Sequence, residues 1–399
     1  MSRVLVLEAY RQTLTVIRSL AAAGWTPVLG HELGKEDDEY TAACRASRHL
    51  GGTVALPPSS AGTIYAHAVE EVLKNDSSIV AVLPVGEESL RSIMTREKEI
   101  RALRTLVAPS GATVSLCLDK PRANAAAAQA GLHVCDWKQV RDAQGFEKAL
   151  AEVGYPLVVK PVDSFARVAD RKALILDDAA ERARLLPEWP GDAGILLVQS
   201  KSPGLRHNCM FHARGGKLTQ RFESRVLRTD DPEGTGYGVE SVSVALDPMR
   251  WKWVERFVQQ LSFDGPGCVQ FLVDGTRSDF LEINPRLDAS VVLAWHCGVD
   301  LPASAVASAV SLDPSAVPVA AEYEPGRRLE WTLGDVAGAL QALRARRSSL
   351  GETLRWLARA AVSSIWPSAR MTWAWTDPRP TVLLATRFAG SILKVLVRR

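Results

Sequence analysis

Two apolar runs, Cys268-Val269-Gln270-Phe271-Leu272-Val273 and Phe280-Leu281-Glu282-Ile283-Asn284, flank the polar segment Asp274-Gly275-Thr276-Arg277-Ser278. Asp-Gly between two runs of strand-forming residues marks a hairpin, so this stretch reads as an antiparallel pair. With the whole polar segment as the loop, Val273 faces Asp279 and Gln270 faces Glu282. Side chains alternate along a strand, which puts Glu282 and Asn284 on one face. Directly opposed residues have Cβ atoms about 4.5–5.5 Å apart. Gln270, Glu282 and Asn284 therefore converge as oxygen donors, with Arg286 just past the strand end. Hard divalent cations take oxygen ligands, and Mg²⁺ commonly combines a few protein oxygens with phosphate oxygens. A guanidinium fork beside them suits phosphate or carboxylate. The plain alternative is a structural hairpin whose polar residues face water.

At these residues the chain resembles the ATP-grasp superfamily, in particular its branch related to carbamoyl phosphate synthase and biotin carboxylase. The paired strands of that branch carry a Glu or Gln, then a Glu and an Asn, as metal ligands, followed by an Arg. Gln270, Glu282, Asn284 and Arg286 match those positions. The resemblance implies ATP as cofactor with Mg²⁺ or Mn²⁺, the metal being held by Gln270, Glu282 and Asn284.

The rest of the chain agrees with such a frame. Val4–Leu7, Thr26–Leu29 and Ile79–Pro84 read as buried strands, alternating with helical patterns at Tyr10–Ala23 and Ile64–Leu73. That βα alternation predicts a parallel sheet covered by helices. Leu118-Asp119-Lys120 opens an alanine-rich helix that ends at Gly131, as in many relatives of the superfamily. Gly154–Pro161 is a strand that presents Lys160, a compact cation suited to phosphate oxygens. Ile195–Gln199 is a strand leading into Ser200-Lys201-Ser202-Pro203-Gly204. The fold class expected is α/β: an N-terminal parallel-sheet domain (1–115), a two-lobed α+β ATP-grasp domain (116–312; small lobe about 136–200, large lobe about 201–312) and a helical or mixed C-terminal subdomain (313–399). The resemblance assigns Lys160 to the phosphates, and Lys120, Gln199, Ser200, Lys201 and Ser164 to the nucleotide. It implies catalytic roles for Arg286, Lys160 and Arg228.

The pattern also departs from that of the superfamily. A glycine-rich loop often follows the lysine strand, but here the loop is Asp163-Ser164-Phe165-Ala166-Arg167-Val168. Glycine permits close backbone approach, so side chains such as Ser164 and Arg167 would have to serve in its place. Ser200 stands where relatives often carry a Glu. Glycines gather instead in Asp231–Gly238, near Arg225 and Arg228, as a lid or a surface loop.

Other chemistries are excluded by what is missing. There is no Gly-x-x-x-x-Gly-Lys-Ser/Thr, no Gly-x-Gly-x-x-Gly after the first strand and no Gly-x-Ser-x-Gly. The scattered cysteines have no paired spacing, which reads as a reducing compartment. Met1-Ser2-Arg3 runs straight into a strand, and no apolar run spans a bilayer, so a cytoplasmic setting is expected.

The chain carries a net charge of only +3, which gives no reason to expect nucleic acid. Leu340–Arg399, however, holds eleven Lys or Arg against Glu352 and Asp377, a balance of +9. With Trp356, Trp366, Trp373 and Trp375, this region reads as a packed subdomain or as a basic surface for a membrane or an anionic carrier.

Taken with the resemblance, these features point to a carboxylate–amine ligase that works through an acyl phosphate and releases ADP. Its partners would be a small carboxylate and an amine, and it would be a homodimer. Two other readings are a nucleotide-binding regulator or scaffold with degenerate catalysis, and a membrane-associated ligase acting on an envelope precursor.

Overall fold

The computed structural model describes residues 2–311 and 322–397, with side chains to residue 390 in the last helix. The expected boundary at 312–313 thus lies outside the described residues, as do the side chain of Lys394 and all of Arg398 and Arg399.

The first sheet has the order β3-β2-β1-β4-β5, with β1 Arg3–Leu7, β2 Thr26–Glu32, β3 Gly52–Leu56, β4 Ile79–Pro84 and β5 Thr105–Leu106. Every pairing in it is parallel. Val4, Leu5, Val6 and Leu7 are all buried, as a strand covered on both faces requires. Helices Thr13–Ala22 and Thr63–Asn75 supply the covers.

A second sheet, order β6-β9-β7-β8, forms the small lobe: β6 Trp137–Val140, β7 Leu157–Pro161, β8 Leu174–Leu176 and β9 Leu196–Ser200. The third has seven strands in the order β14-β13-β10-β11-β12-β15-β16. These are β10 Leu205–Arg214, β11 Lys217–Thr229, β12 Gly238–Ser243, β13 Gly265–Asp274, β14 Arg277–Asn284, β15 Arg328–Glu330 and β16 Ala369–Arg370. The C-terminal region therefore adds two short strands to the edge of the large-lobe sheet. Its helices Thr332–Arg344 and Leu350–Ser363 lie beside that edge, while Arg379–Val397 packs on the N-terminal domain, with Leu384 against Leu14, Ile17 and Ala43.

The lobes differ in how they are rooted. The small lobe has its own core around Phe146, Leu157, Val159 and Leu196. The large lobe shares one continuous core with the parallel sheet, running from Val4 and Leu83 through Cys268 and Val291 to Leu329 and Met371. Helix Leu301–Val310 joins the two; Asp300 caps it by accepting from the Ala303 N–H, and Pro302 sits in its first turn, where no amide hydrogen is needed.

The key hairpin departs from its expected register. Asp274 pairs with Arg277, so the turn is only Gly275-Thr276, and Val273 faces Ser278 rather than Asp279. A bulge beside Phe271 then restores the pairing of Gln270 with Glu282 and of Cys268 with Asn284. Tertiary partners draw the polar residues out of the loop. Arg250 donates to the Ser278 hydroxyl at 2.7 Å, and Asp279 is buried against Arg277 and His133.

Candidate active site

A cleft of about 1190 Å³ opens between the small lobe, the large lobe, the ends of the parallel strands and the C-terminal helices. The bulged hairpin forms one wall. Gln270 is buried on β13, opposite Glu282 on β14, and the Asn284 amide donates to Glu282 at 2.9 Å. The three expected oxygen donors thus meet in one place.

A fourth polar group stands beside them without having been marked by the sequence. Asn208 on β10 pairs with Gln270 across the sheet. Its amide nitrogen donates to the Ser290 hydroxyl at 3.2 Å, while its own oxygen is buried with no hydrogen-bond partner. Asp288, which accepts from the Ser290 N–H at 2.8 Å, lines the same wall.

The opposite wall carries the lysines. Lys160, on β7, is half-buried in the cleft; desolvation pushes its pKa down to about 8, Lys120 adds to that, and Glu282 opposes it. Lys120 is anchored by donating to the Val162 carbonyl at 2.7 Å, and burial lowers its pKa too. Asp119 holds the start of its helix by accepting from the Arg122 N–H at 3.0 Å. Gln199, Ser200 and Lys201 end β9 at the cleft. The Lys201 ammonium is taken by Asp177 at 2.7 Å, and its N–H donates to the Pro156 carbonyl at 3.0 Å. Gly204, in the next turn, has φ +97°, and a Cβ there would lie 2.1 Å from the Val273 carbonyl oxygen. Only glycine lets this turn approach the β13–β14 hairpin so closely.

The loop after β7 does without glycine by folding on itself. Asp163 accepts from the Phe165 N–H at 2.8 Å, and Arg167 donates to the Ala166 carbonyl at 2.9 Å. Ser164 faces the cleft; Arg167 lines it but is turned onto its own backbone. The glycine-rich segment Asp231–Gly238 closes over from the large lobe. Glu233 pairs with Arg171 of the small lobe at 2.6 Å, and the Lys172 ammonium lies 3.3 Å from the Tyr237 ring centre.

Arg286 is half-buried at the cleft, its Nε has no hydrogen-bond partner, and it makes no ion pair among the described residues. Arg228 also lines the cleft, but its guanidinium is engaged. It forks onto Asp335 at 2.9 and 2.5 Å and reaches Glu240 at 2.7 Å. The expectation of a catalytic Arg228 thus meets a side chain already committed to the C-terminal helix Thr332–Arg344. Arg11 was not foreseen at all. It follows β1, at the strand end where open parallel sheets place their ligands, and that rule is the signal that could have found it. Its guanidinium is stacked 3.9 Å from the centre of the Tyr237 ring and 4.6 Å from that of Trp331. No carboxylate pairs with it among the described residues.

No protein-family model matches the chain. The large chain of carbamoyl phosphate synthase from Rubrobacter xylanophilus is 23% identical over 369 aligned residues, covering 82% of this chain. The chain spans only 32% of that relative's length. Among solved structures, an ADP complex of N5-carboxyaminoimidazole ribonucleotide synthetase superposes with a TM-score of 0.67 at 12% identity, over 87% of this chain and 85% of the other. L-amino acid ligase from Bacillus licheniformis gives 0.63 at 16% identity, over 82% and 78%. Biotin carboxylase from Campylobacter jejuni, in a β,γ-ATP complex, gives 0.58 at 15%, over 80% and 73%. The three-sheet architecture is that of the ATP-grasp fold.

Proposed function

We infer that this chain, built on the ATP-grasp fold, is an ATP-dependent ligase that activates a carboxylate and joins it to an amine. The observation that carries this reading is the meeting of Gln270, Glu282 and Asn284 with Lys160, Lys120 and Arg286 on facing walls of one cleft. The neighbours support the same class of chemistry.

The donor set fits a hard cation. It is made of oxygens, includes one carboxylate, and has the unpartnered Asn208 oxygen beside it. Gln270, Glu282 and Asn284 would hold Mg²⁺ or Mn²⁺, which when bound neutralises phosphate charge. Lys160 and Lys120 would draw the phosphate tail to the small-lobe wall, and the end of β9 would hold the base. In the reaction proposed, a substrate carboxylate oxygen bonds to the terminal phosphorus while the bond to the bridging oxygen breaks, releasing ADP. The amine nitrogen then attacks the acyl carbon, phosphate leaves, and the nitrogen gives up a proton. Arg286, with a free Nε and no carboxylate of its own among the described residues, suits the charge that builds on the transferred group. Arg228 we read as a strut, because its fork is occupied. No protein nucleophile is needed; alignment and charge neutralisation carry the chemistry. The homodimer belongs to the same reading and is tested by mass in solution.

A panel of acids and amines with MgATP, read for ADP, AMP and product mass together, tests the proposal. ADP and phosphate formed in step with a coupled product support it; AMP and pyrophosphate refute it. The self-folded, glycine-free loop at 163–168 favours one rival reading, a nucleotide-binding regulator. That reading predicts MgATP binding with no turnover for any pair.

A further inference from the structure

We propose that the C-terminal helix Leu350–Ser363 docks the protein onto an anionic lipid surface. This goes beyond the ligase reading and does not depend on it.

An amphipathic helix ordinarily buries its apolar stripe. Here the stripe points outward. Leu350, Leu354, Ala358, Ala361 and Val362 recur at helical spacing, Ile365 continues the row, and all are exposed. Leu354 is 58% exposed and Val362 69%. The side packed on the protein is a separate face: Thr353 and Ala360 are buried there, Trp356 and Leu357 are half-buried, and the Trp356 indole donates to Asp335 at 2.5 Å. Beyond the helix, Trp366 is 89% exposed and Trp375 83%. A large aromatic so placed suits a membrane interface, where one end is apolar and the other wet.

Charge selects the occupant. Arg355 and Arg359 border the stripe on its solvent side, and Arg344 and Arg346 are exposed at the turn that leads into the helix. Glu352 is the only acid in the helix, and the region from Leu340 onward carries +9. An interfacial helix has this arrangement, with an apolar face and a cationic border that attracts anionic headgroups. A second copy of the chain is disfavoured, because a twofold interface would set this basic surface against itself. No helix among the described residues is long and apolar enough to cross a membrane, so the contact would be peripheral. Arg355 and Arg359 also line the cleft, which places its mouth beside the docking face.

The test is co-sedimentation of the full chain with phosphatidylcholine vesicles, with and without phosphatidylglycerol. Binding is expected only with phosphatidylglycerol, and it should weaken as salt rises. The double variant Leu354→Glu/Val362→Glu should lose about tenfold or more in partitioning, the order expected for withdrawing two apolar side chains. Both positions are exposed, so the melting curve should not move. Arg344→Glu/Arg346→Glu should lose binding most clearly at low salt. Three results would each overturn the proposal: equal pelleting with and without phosphatidylglycerol, variants that pellet like the wild type, or a dimer broken by Leu354→Glu/Val362→Glu in a protein that ignores both vesicles.

Discussion

The two ends of the cleft treat their cations in opposite ways. At the end beneath the small lobe, Lys160, Lys120 and Arg286 converge with no ion pair of their own among the described residues. At the other end Arg228 is surrounded by Asp335, Glu240 and, at 3.9 Å, Glu330. Gathering unpaired positive charge costs stability, so such a cluster marks a place for an anion that arrives from outside. A guanidinium saturated by internal carboxylates holds the structure together. The first end should therefore govern nucleotide chemistry, and the second should govern stability.

The sharpest break between the two ends should come from Glu282→Gln. It removes the one carboxylate from the set Gln270, Glu282 and Asn284 proposed to hold the metal, and turnover should fall by about 10²-fold or more, the scale of losing one preorganised charge-stabilising group. Glu282 is half-buried, so the fold should survive, as circular dichroism can check. Arg228→Met should do the reverse. It leaves Asp335 with the Trp356 indole alone and Glu240 with Arg328 and the Ser363 hydroxyl, and should cost about 3 kcal/mol in denaturant unfolding. MgATP affinity should stay within error. A variant that melts normally but no longer binds nucleotide would dissolve the contrast.

Lys160→Ala should weaken ATP by about 2 kcal/mol, the worth of one charge-assisted hydrogen bond, and leave adenosine untouched. The same residue predicts a pH effect. With its pKa lowered to about 8, Lys160 is charged below that value and neutral above it. ATP affinity should therefore fall as pH rises through about 8, by at most about tenfold per pH unit for a single proton. Calorimetry in buffers of different ionisation enthalpy would show proton uptake on binding above that pH, and none in Lys160→Ala.

The smallest effect on the nucleotide end should come from Glu330→Gln, whose consequence is for stability. Glu330 is buried on β15 directly opposite Glu240, and its carboxylate oxygens have no hydrogen-bond partner. Desolvation, with Asp335 and Glu240 beside it, raises its pKa from 4.5 to about 8. Between those values the folded chain holds a proton that the unfolded chain releases, so stability drains away as pH rises across that window. The glutamine variant should be the more stable, and its gain should grow as pH rises from about 5 to about 8. A gain that does not grow with pH would contradict the assignment.

The end of the cleft that brings Lys160, Lys120, Gln270, Glu282 and Asn284 together was largely legible in the sequence, because those residues lie on short contiguous motifs. A five-residue loop predicts the pairing of Gln270 with Glu282, and that pairing is present although the turn is only Gly275-Thr276. The bulge that preserves it could not be read from the sequence, since it depends on Arg250 and His133, which reach Ser278 and Asp279 from elsewhere in the chain. The far end was opaque for the same reason. Arg228 looked free beside a glycine-rich loop until Asp335 arrived from the C-terminal helix. Arg11 is one residue in a strand–helix turn, and its setting depends on Tyr237 and Trp331, far away in sequence. The C-terminal charge could be counted from the sequence. The outward turn of its apolar stripe is visible only once Thr353, Trp356 and Ala360 are seen to occupy the inner face.

Calorimetric titration of the wild-type chain with ATP and with adenosine, each in the presence and absence of Mg²⁺, tests most directly whether the unpaired cations and the oxygen hairpin form one nucleotide site. ATP should bind distinctly tighter with Mg²⁺ than without it, and adenosine should bind weakly and without regard to the metal. Equal affinity for ATP with and without Mg²⁺, matched by adenosine, would contradict the site.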